Sequence, residues 1–229
     1  MTNQFLTQVK GQLIVSCQAL PEEPLHSPLI MAKMALAAKM AGAVALRANS
    51  VVDIQAIQAE TNLPIIGINK HDYPDAESFI TPTLADMSAV ASTGCPVVVV
   101  EVTGRTRPNG GDLAEDVAAF REAFPDTLLM ADTATLEDVA TADALGFDVI
   151  GTTMHGYTAS SAGMNVADDD FAYLKQVLAM AKHPVIAEGK VDTPAKLRRC
   201  IDLGAHAVVV GGAITRPMEI TQRFLAALA

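Results

Sequence analysis

Eight short apolar runs in this 229-residue chain end in Gln18, Arg47, Lys70, Glu101, Asp132, Thr153, Glu188 and Gly211. If the runs are parallel strands of one barrel, these ends meet at a single mouth, where a lysine, an arginine and three acids can move protons. Lys70 closes the run PIIGINK. Burial against apolar walls beside a second cation such as Arg47 disfavours its charged form and makes it a usable base. Glu188 closes PVIAE and Asp132 closes LLMAD, and an acid directly after a buried strand needs a partner or a chemical task. The stretch AVVVGGAITRP (207–217) runs a β-branched strand into Gly211 and Gly212 and then into a helix start. Two glycines let the backbone approach a ligand, the next amides face a positive helix end, and Arg216 adds a bidentate donor, so phosphate is the natural occupant. Gly189, next to Glu188, extends that cradle, as expected where the ends of the seventh and eighth strands bind phosphate. Singly, each feature has a bland reading as a turn or a solvated loop residue; their convergence is the signal.

The elements that must position these residues follow from periodicity. Apolar, often β-branched runs predict strands at 13–17, 43–46, 64–68, 97–102, 128–131, 148–151, 185–187 and 207–210. Apolar residues at three and four spacing predict helices at 29–40, 51–60, 84–93, 113–123, 136–145, 169–181, 194–203 and 218–228. Gly42, Gly94, Gly146 and Gly204 stand between a helix and the next strand, where a left-handed cap is expected. Thr135 with Asp138, and Thr193 before Pro194, mark helix starts. No linker interrupts the alternation, which predicts an α/β chain forming one (β/α)8 TIM-barrel domain over 1–229.

Composition narrows the functions. The chain is half hydrophobic with a formal charge of −10, which argues against a nucleic-acid or anionic-membrane surface; a bound anion must be held by a local cluster such as Arg47, Lys70 and Arg216. Neither a leader-like start nor an uninterrupted membrane-length apolar run is present, so a cytoplasmic location is expected. Cys17, Cys95 and Cys200 lack disulfide or zinc spacing. His183 and His206 fall at strand starts and read as structural, while His26, His71 and His155 lie in mouth loops without paired ligand spacing, so no metal is expected. The run Asp168 to Asp170 reads as a solvated helix start. The apolar last helix suits a homodimer contact as well as a barrel wall.

The motifs LIVSCQALPEEPLHSP, ALAAKMAGAVALRANSVVDI, LPIIGINKHDYP, FITPT, MADTATLED, LGFDVIGTT with GYT, PVIAEGK and VVVGGAITRPMEIT closely resemble the N-acylmannosamine-6-phosphate 2-epimerase family, nearly end to end. The resemblance implies a barrel of the ribulose-phosphate-binding type. It also implies interconversion of N-acetylmannosamine 6-phosphate and N-acetylglucosamine 6-phosphate in amino-sugar and sialic acid breakdown, with no metal or organic cofactor. By the same resemblance Lys70 and Glu188 are catalytic, and Arg47 and Asp132 orient the substrate. Gln18 lies near the sugar, and Gly189, Gly211, Gly212 and Arg216 bind phosphate. Two departures stand out: Glu101-Val102-Thr103 where the family reads an aspartate in DAT, and Met154-His155 where it reads Leu-Ser. The added methylene and imidazole are expected to reshape the mouth.

Epimerisation at C2 requires loss of a proton that becomes acidic once the ring opens and an aldehyde neighbours it. Lys70 is the expected base, Arg47 or protonated Lys70 the support for the enolate oxygen, and Glu188 the donor to the other face, directly or through a substrate hydroxyl. Two rivals stay open: a Schiff-base aldolase using Lys70, and a non-catalytic phosphosugar-binding barrel. The intact set of Arg47, Lys70, Asp132 and Glu188 argues against both.

Overall fold

The computed structural model describes residues 3–228. Eight strands, β1 (Leu13–Cys17), β2 (Ala45–Asn49), β3 (Ile65–Ile68), β4 (Val97–Glu101), β5 (Leu128–Asp132), β6 (Val149–Gly151), β7 (Val185–Ala187) and β8 (Ala207–Val210), pair in sequence order. All pairs are parallel, and β8 returns to β1 to close the barrel. Helices α2 (Pro28–Met40), α3 (Val51–Thr61), α4 (Leu84–Ala91), α5 (Leu113–Ala123), α6 (Leu136–Ala144), α7 (Asp168–Met180), α8 (Pro194–Leu203) and α9 (Pro217–Ala226) follow the strands in turn. The expected (β/α)8 architecture is therefore present. The four glycines between helix and strand all have positive φ, from 76° to 109°, and Thr135 with Asp138 forms a reciprocal capping box. No described helix is long and apolar enough to cross a membrane.

Strand alternation sorts the core into two layers. Val98 and Val100 of β4 pack outward against the helices, whereas Val97 and Val99 belong to the barrel interior with Ile14, Ala45, Ile66, Ile68, Met130, Val149, Ile186, Ala207 and Val209. Continuing each inward row by steps of two leads to Gln18, Arg47, Lys70, Glu101, Asp132, Thr153, Glu188 and Gly211. The eight residues singled out in the sequence thus share the parity that faces the barrel axis. This is how the fold brings together residues up to about two hundred positions apart.

Two features depart from the sequence reading. A short helix, α1 (Gln4–Val9), precedes β1 and was not predicted. It buries Phe5 and Val9 in the interior cluster at the amino-terminal end of the barrel, and His206 Nε2 lies 2.8 Å from Leu6 O. Its six residues are too few for helical periodicity to stand out. The strand expected at 43–46 runs instead from Ala45 to Asn49, with Arg47 paired between Ser16 and Ile66. A charged residue ordinarily ends a buried strand; here two acids from distant strands permit it inside.

Candidate active site

A cavity of about 680 Å³ opens at the carboxyl ends of the strands, with Gln18, Lys70, Glu188, Gly189, Gly211, Gly212 and Arg216 on its walls. Beneath it lies a largely buried ion cluster. Arg47 is 1 % exposed and Asp132 fully buried. The guanidinium donates to Asp132 in a fork, Nη2 to Oδ2 at 2.6 Å and Nη1 to Oδ1 at 3.2 Å, and Nη1 also donates to Glu188 Oε2 at 2.9 Å. The Thr153 hydroxyl reaches Asp132 Oδ1 at 2.6 Å and lies 3.3 Å from Glu188 Oε2. Thr152 ties the backbone of Glu188 down, donating to its carbonyl at 2.7 Å and accepting from its N–H at 3.0 Å. A buried charge cluster of this kind is costly unless its members are paired; Arg47 and Thr153 both face Glu188 Oε2, while Arg47 Nε has no partner among the described residues.

The electrostatics set two groups near neutrality. Burial, then the nearby Arg47 charge, brings the Lys70 amine down to about 8, with Arg216 adding to the effect and Glu188 and Asp132 opposing it. Burial lifts the Glu188 carboxyl to about 7; Asp132 adds to the rise, while Arg47, Thr153 and Lys70 oppose it. Arg47 is held charged above its ordinary value by Asp132 and Glu188, against the effect of burial. A base and an acid therefore share one cavity with values close to each other and to neutral pH, the condition for efficient proton transfer in both directions.

Another part of the wall, beginning at Gly189 next to Glu188, is built for an anion. Gly189 has φ 104°, and among the described residues the backbone N–H groups of Gly189, Gly212 and Ala213 have no hydrogen-bond partner. A Cβ on Gly211 would stand 3.2 Å from Ser16 Cβ, so any side chain there would press the turn away from β1 by a few tenths of an ångström. Thr215 holds that turn through its hydroxyl, which donates to Ser16 O at 2.6 Å. Arg216 lines the cavity, but its guanidinium is held by Glu23 at 2.6 and 3.0 Å and by Glu219. Burial works against the Glu23 charge, yet the Leu20 amide and Arg216 outweigh it and hold the carboxyl below its usual range.

All nine residues singled out for roles thus converge, though not in one layer. Lys70, Glu188, Gln18, Gly189, Gly211, Gly212 and Arg216 line the cavity, and Arg47 and Asp132 lie under it, behind Glu188. Gln18 donates to Ser16 Oγ at 2.8 Å and keeps a buried Oε1 without a partner, an acceptor left for a polar ligand. The two departures, Glu101 and His155, are buried and do not line the cavity; His155 packs flat on Tyr173 with ring centroids 3.7 Å apart. Met154, the other half of the second departure, does line the cavity, as do Phe79 and Ile80, whose N–H groups Glu101 accepts. Asn49 was missed: it lines the cavity and its Oδ1 accepts the Lys70 N–H at 2.8 Å. It continues the inward row Ala45, Arg47, Asn49, a signal that was present in the sequence. Glu23 was missed too, and no local pattern marks it, because its partner lies 193 residues away. Among the described residues no group of three or more His, Cys, Asp or Glu side chains is placed to hold a metal ion.

Comparison with known proteins gives a consistent set of relatives. The NanE family model, described as "Putative N-acetylmannosamine-6-phosphate epimerase", matches residues 31–229. A "Putative N-acetylmannosamine-6-phosphate 2-epimerase" of Lactiplantibacillus plantarum is 68% identical over 228 residues, covering 100% of both chains. One with the same description from Pediococcus pentosaceus is 64% identical, again over 100% of each. Among solved structures, the N-acetylmannosamine-6-phosphate 2-epimerase from Clostridium perfringens superposes with a TM-score of 0.93 at 46% identity, covering 99% of this chain and 97% of that one.

Proposed function

The chain belongs to the N-acetylmannosamine-6-phosphate epimerase family, and on that premise we propose that it interconverts N-acetylmannosamine 6-phosphate and N-acetylglucosamine 6-phosphate, in amino-sugar and sialic acid breakdown. Its substrate is a phosphorylated amino sugar. The observation that carries the reading is the pairing of Lys70, lowered to about 8, with Glu188, raised to about 7, on one cavity that also holds an unpaired amide cradle.

The phosphate sits on the N–H groups of Gly189, Gly212 and Ala213, and Arg216 turns to it from Glu23 and Glu219. Anchored there, remote from C2, it supplies binding that holds the ring-opened sugar in the reactive pose. Neutral Lys70, about a tenth of the population at pH 7 for a group titrating near 8, takes the C2 proton. The lysine then carries the charge that faces the developing enolate oxygen. Arg47 and Asp132 act from below by fixing Glu188, and Gln18 Oε1 accepts a sugar hydroxyl. Glu188, protonated in a large fraction near its own value of about 7, returns a proton to the opposite face, directly or through a substrate hydroxyl.

A proton NMR time course of N-acetylmannosamine 6-phosphate with the protein in heavy water tests this. The gluco epimer should appear carrying deuterium at C2, and Lys70→Ala should abolish turnover while the fold persists. A C2 proton that neither exchanges nor inverts sinks the assignment.

The same reading takes residues 1–229 as one barrel domain working in the cytoplasm, where its phosphosugar is held. It pairs two copies through α9, which buries no residue against its own barrel and leaves Phe224 75 % and Leu225 59 % exposed. A monomeric mass in sedimentation at assay concentrations contradicts the pairing.

A further inference from the structure

Glu101 ends β4 with 1 % exposure, yet it lines no part of the cavity. Both of its carboxylate oxygens are engaged. Oε2 accepts the N–H groups of Phe79 at 3.1 Å and Ile80 at 3.3 Å, and Oε1 accepts the Thr103 hydroxyl at 2.8 Å. Its own N–H donates to Ile80 O at 3.0 Å. Among the described residues Phe79 N–H and Ile80 N–H have no other acceptor. On its far edge the same returning stretch pairs with the end of β3. Lys70 stands opposite Ile80 in an antiparallel bridge, His71 N–H donates to Phe79 O at 3.0 Å, and Thr81 N–H donates to Asn69 O at 2.9 Å. Residues 79–81 are thus wedged between Lys70 on one side and Glu101 on the other. Thr81, fully buried and β-branched, has φ 48°, a costly conformation that persists only where the surroundings over-determine it.

We propose that Glu101 is a positioning residue for the reaction: by accepting the Phe79 and Ile80 N–H groups it holds the short returning strand, and through it Lys70, at a set depth over the cavity. The proposal rests on Lys70 being the base. The charges that face the Lys70 amine come from Arg47 on β2, Asp132 on β5, Glu188 on β7 and Arg216 after β8. Glu101 acts on Lys70 through the backbone instead; a glutamine keeps an oxygen for the two N–H groups and turns an amide to Thr103, giving up only the contact of Oε1 with the Arg105 guanidinium at 3.6 Å. A methionine of the same length cannot, and it leaves two buried donors without an acceptor.

The test compares Glu101→Gln and Glu101→Met by steady-state kinetics and by NMR titration of lysine labelled at Cε. Glu101→Met should lose roughly 10- to 100-fold in kcat, the range for a misplaced catalytic group, with KM within about threefold because the phosphate wall is untouched. The Lys70 titration should move from about 8 toward its ordinary 10.5 as water reaches the amine. Glu101→Gln should stay within about threefold of the parent in kcat, since its acceptor is preserved. An unmoved Lys70 titration in a folded Glu101→Met protein overturns the proposal, as does a loss confined to KM. If Glu101→Met does not fold, Thr103→Val, which takes the hydroxyl from Oε1 and leaves it only the Arg105 contact, should show a smaller upward shift, and no shift overturns the proposal. Full activity in Lys70→Ala would instead refute the assignment of the base, so the two failures are told apart.

Discussion

Replacing Glu188 with glutamine should make stability less dependent on pH, in a direction the site determines. Burial, reinforced by Asp132, lifts the folded carboxyl from its ordinary 4.5 to about 7. A group raised in the fold stabilises it fully below the unfolded value and loses that contribution as pH rises through the folded value. At about 1.4 kcal/mol for each pH unit between the two values, the ionised form costs the fold about 3 kcal/mol. Integrated from about pH 5 to about pH 8, about 2–3 kcal/mol of it is lost. Lys70, lowered in the fold, works in another window: its cost is present below about 8 and is relieved as pH climbs toward 10.5. In Glu188→Gln the opposing carboxylate is gone, so Lys70 is lowered further and its cost is relieved at lower pH, a change in the same direction as the Glu188 effect. Urea unfolding of the parent and Glu188→Gln at both pH values should therefore show the variant gaining about 2–3 kcal/mol on the parent at the higher pH, or roughly 5–10 °C in Tm for a chain of this length. Whatever the glutamine does to the Arg47 contact is present at both pH values and cancels. A stability gap that is the same at both pH values would refute the claim that Glu188 is a raised, buried acid.

Three more outcomes follow from the same geometry. The kcat/KM profile should be bell-shaped with limbs near 7 and 8, the values of Glu188 and Lys70, because one must be protonated while the other is neutral; a flat profile from pH 6 to 9 contradicts the pairing. Arg47→Leu strands Asp132 and Glu188 without their shared cation and should cost about 3–5 kcal/mol in denaturant unfolding; a loss under about 1 kcal/mol would mean that the cluster relaxes. Gly189→Ala forces a side chain onto a residue with φ 104° and 3.4 Å from Thr152 O. It should cost about 1–3 kcal/mol in stability and raise KM for the phosphosugar; an unchanged KM takes Gly189 out of the phosphate cradle.

Much of this protein is legible in its residues taken alone. The β-branched runs and the helical spacing between them determine eight strand–helix units whose strands are buried on both faces, and pairing of β8 with β1 makes the sheet a closed barrel rather than an open, doubly wound one. The parity of each strand then directs its last polar residue: Ile66 and Ile68 point inward, so Lys70 does too, and Ala45 carries Arg47 and Asn49 with it. The glycines of the phosphate wall are local as well, because a close backbone approach is a property of the residue itself.

What only the tertiary structure decides is which inward side chains lean on one another. Arg47 reads as the end of a strand until Asp132 and Glu188, 85 and 141 residues further on, are seen to neutralise it inside β2. That cluster places Arg47 and Asp132 against Glu188 rather than on the cavity wall. Glu101 looks like a change at the mouth and proves to hold residues 79–81, and Glu23 has no visible task until Arg216 is found against it. Strand direction and parity are encoded residue by residue, through backbone sterics and burial, whereas the worth of a buried charge depends on which partners closure of the barrel brings within reach.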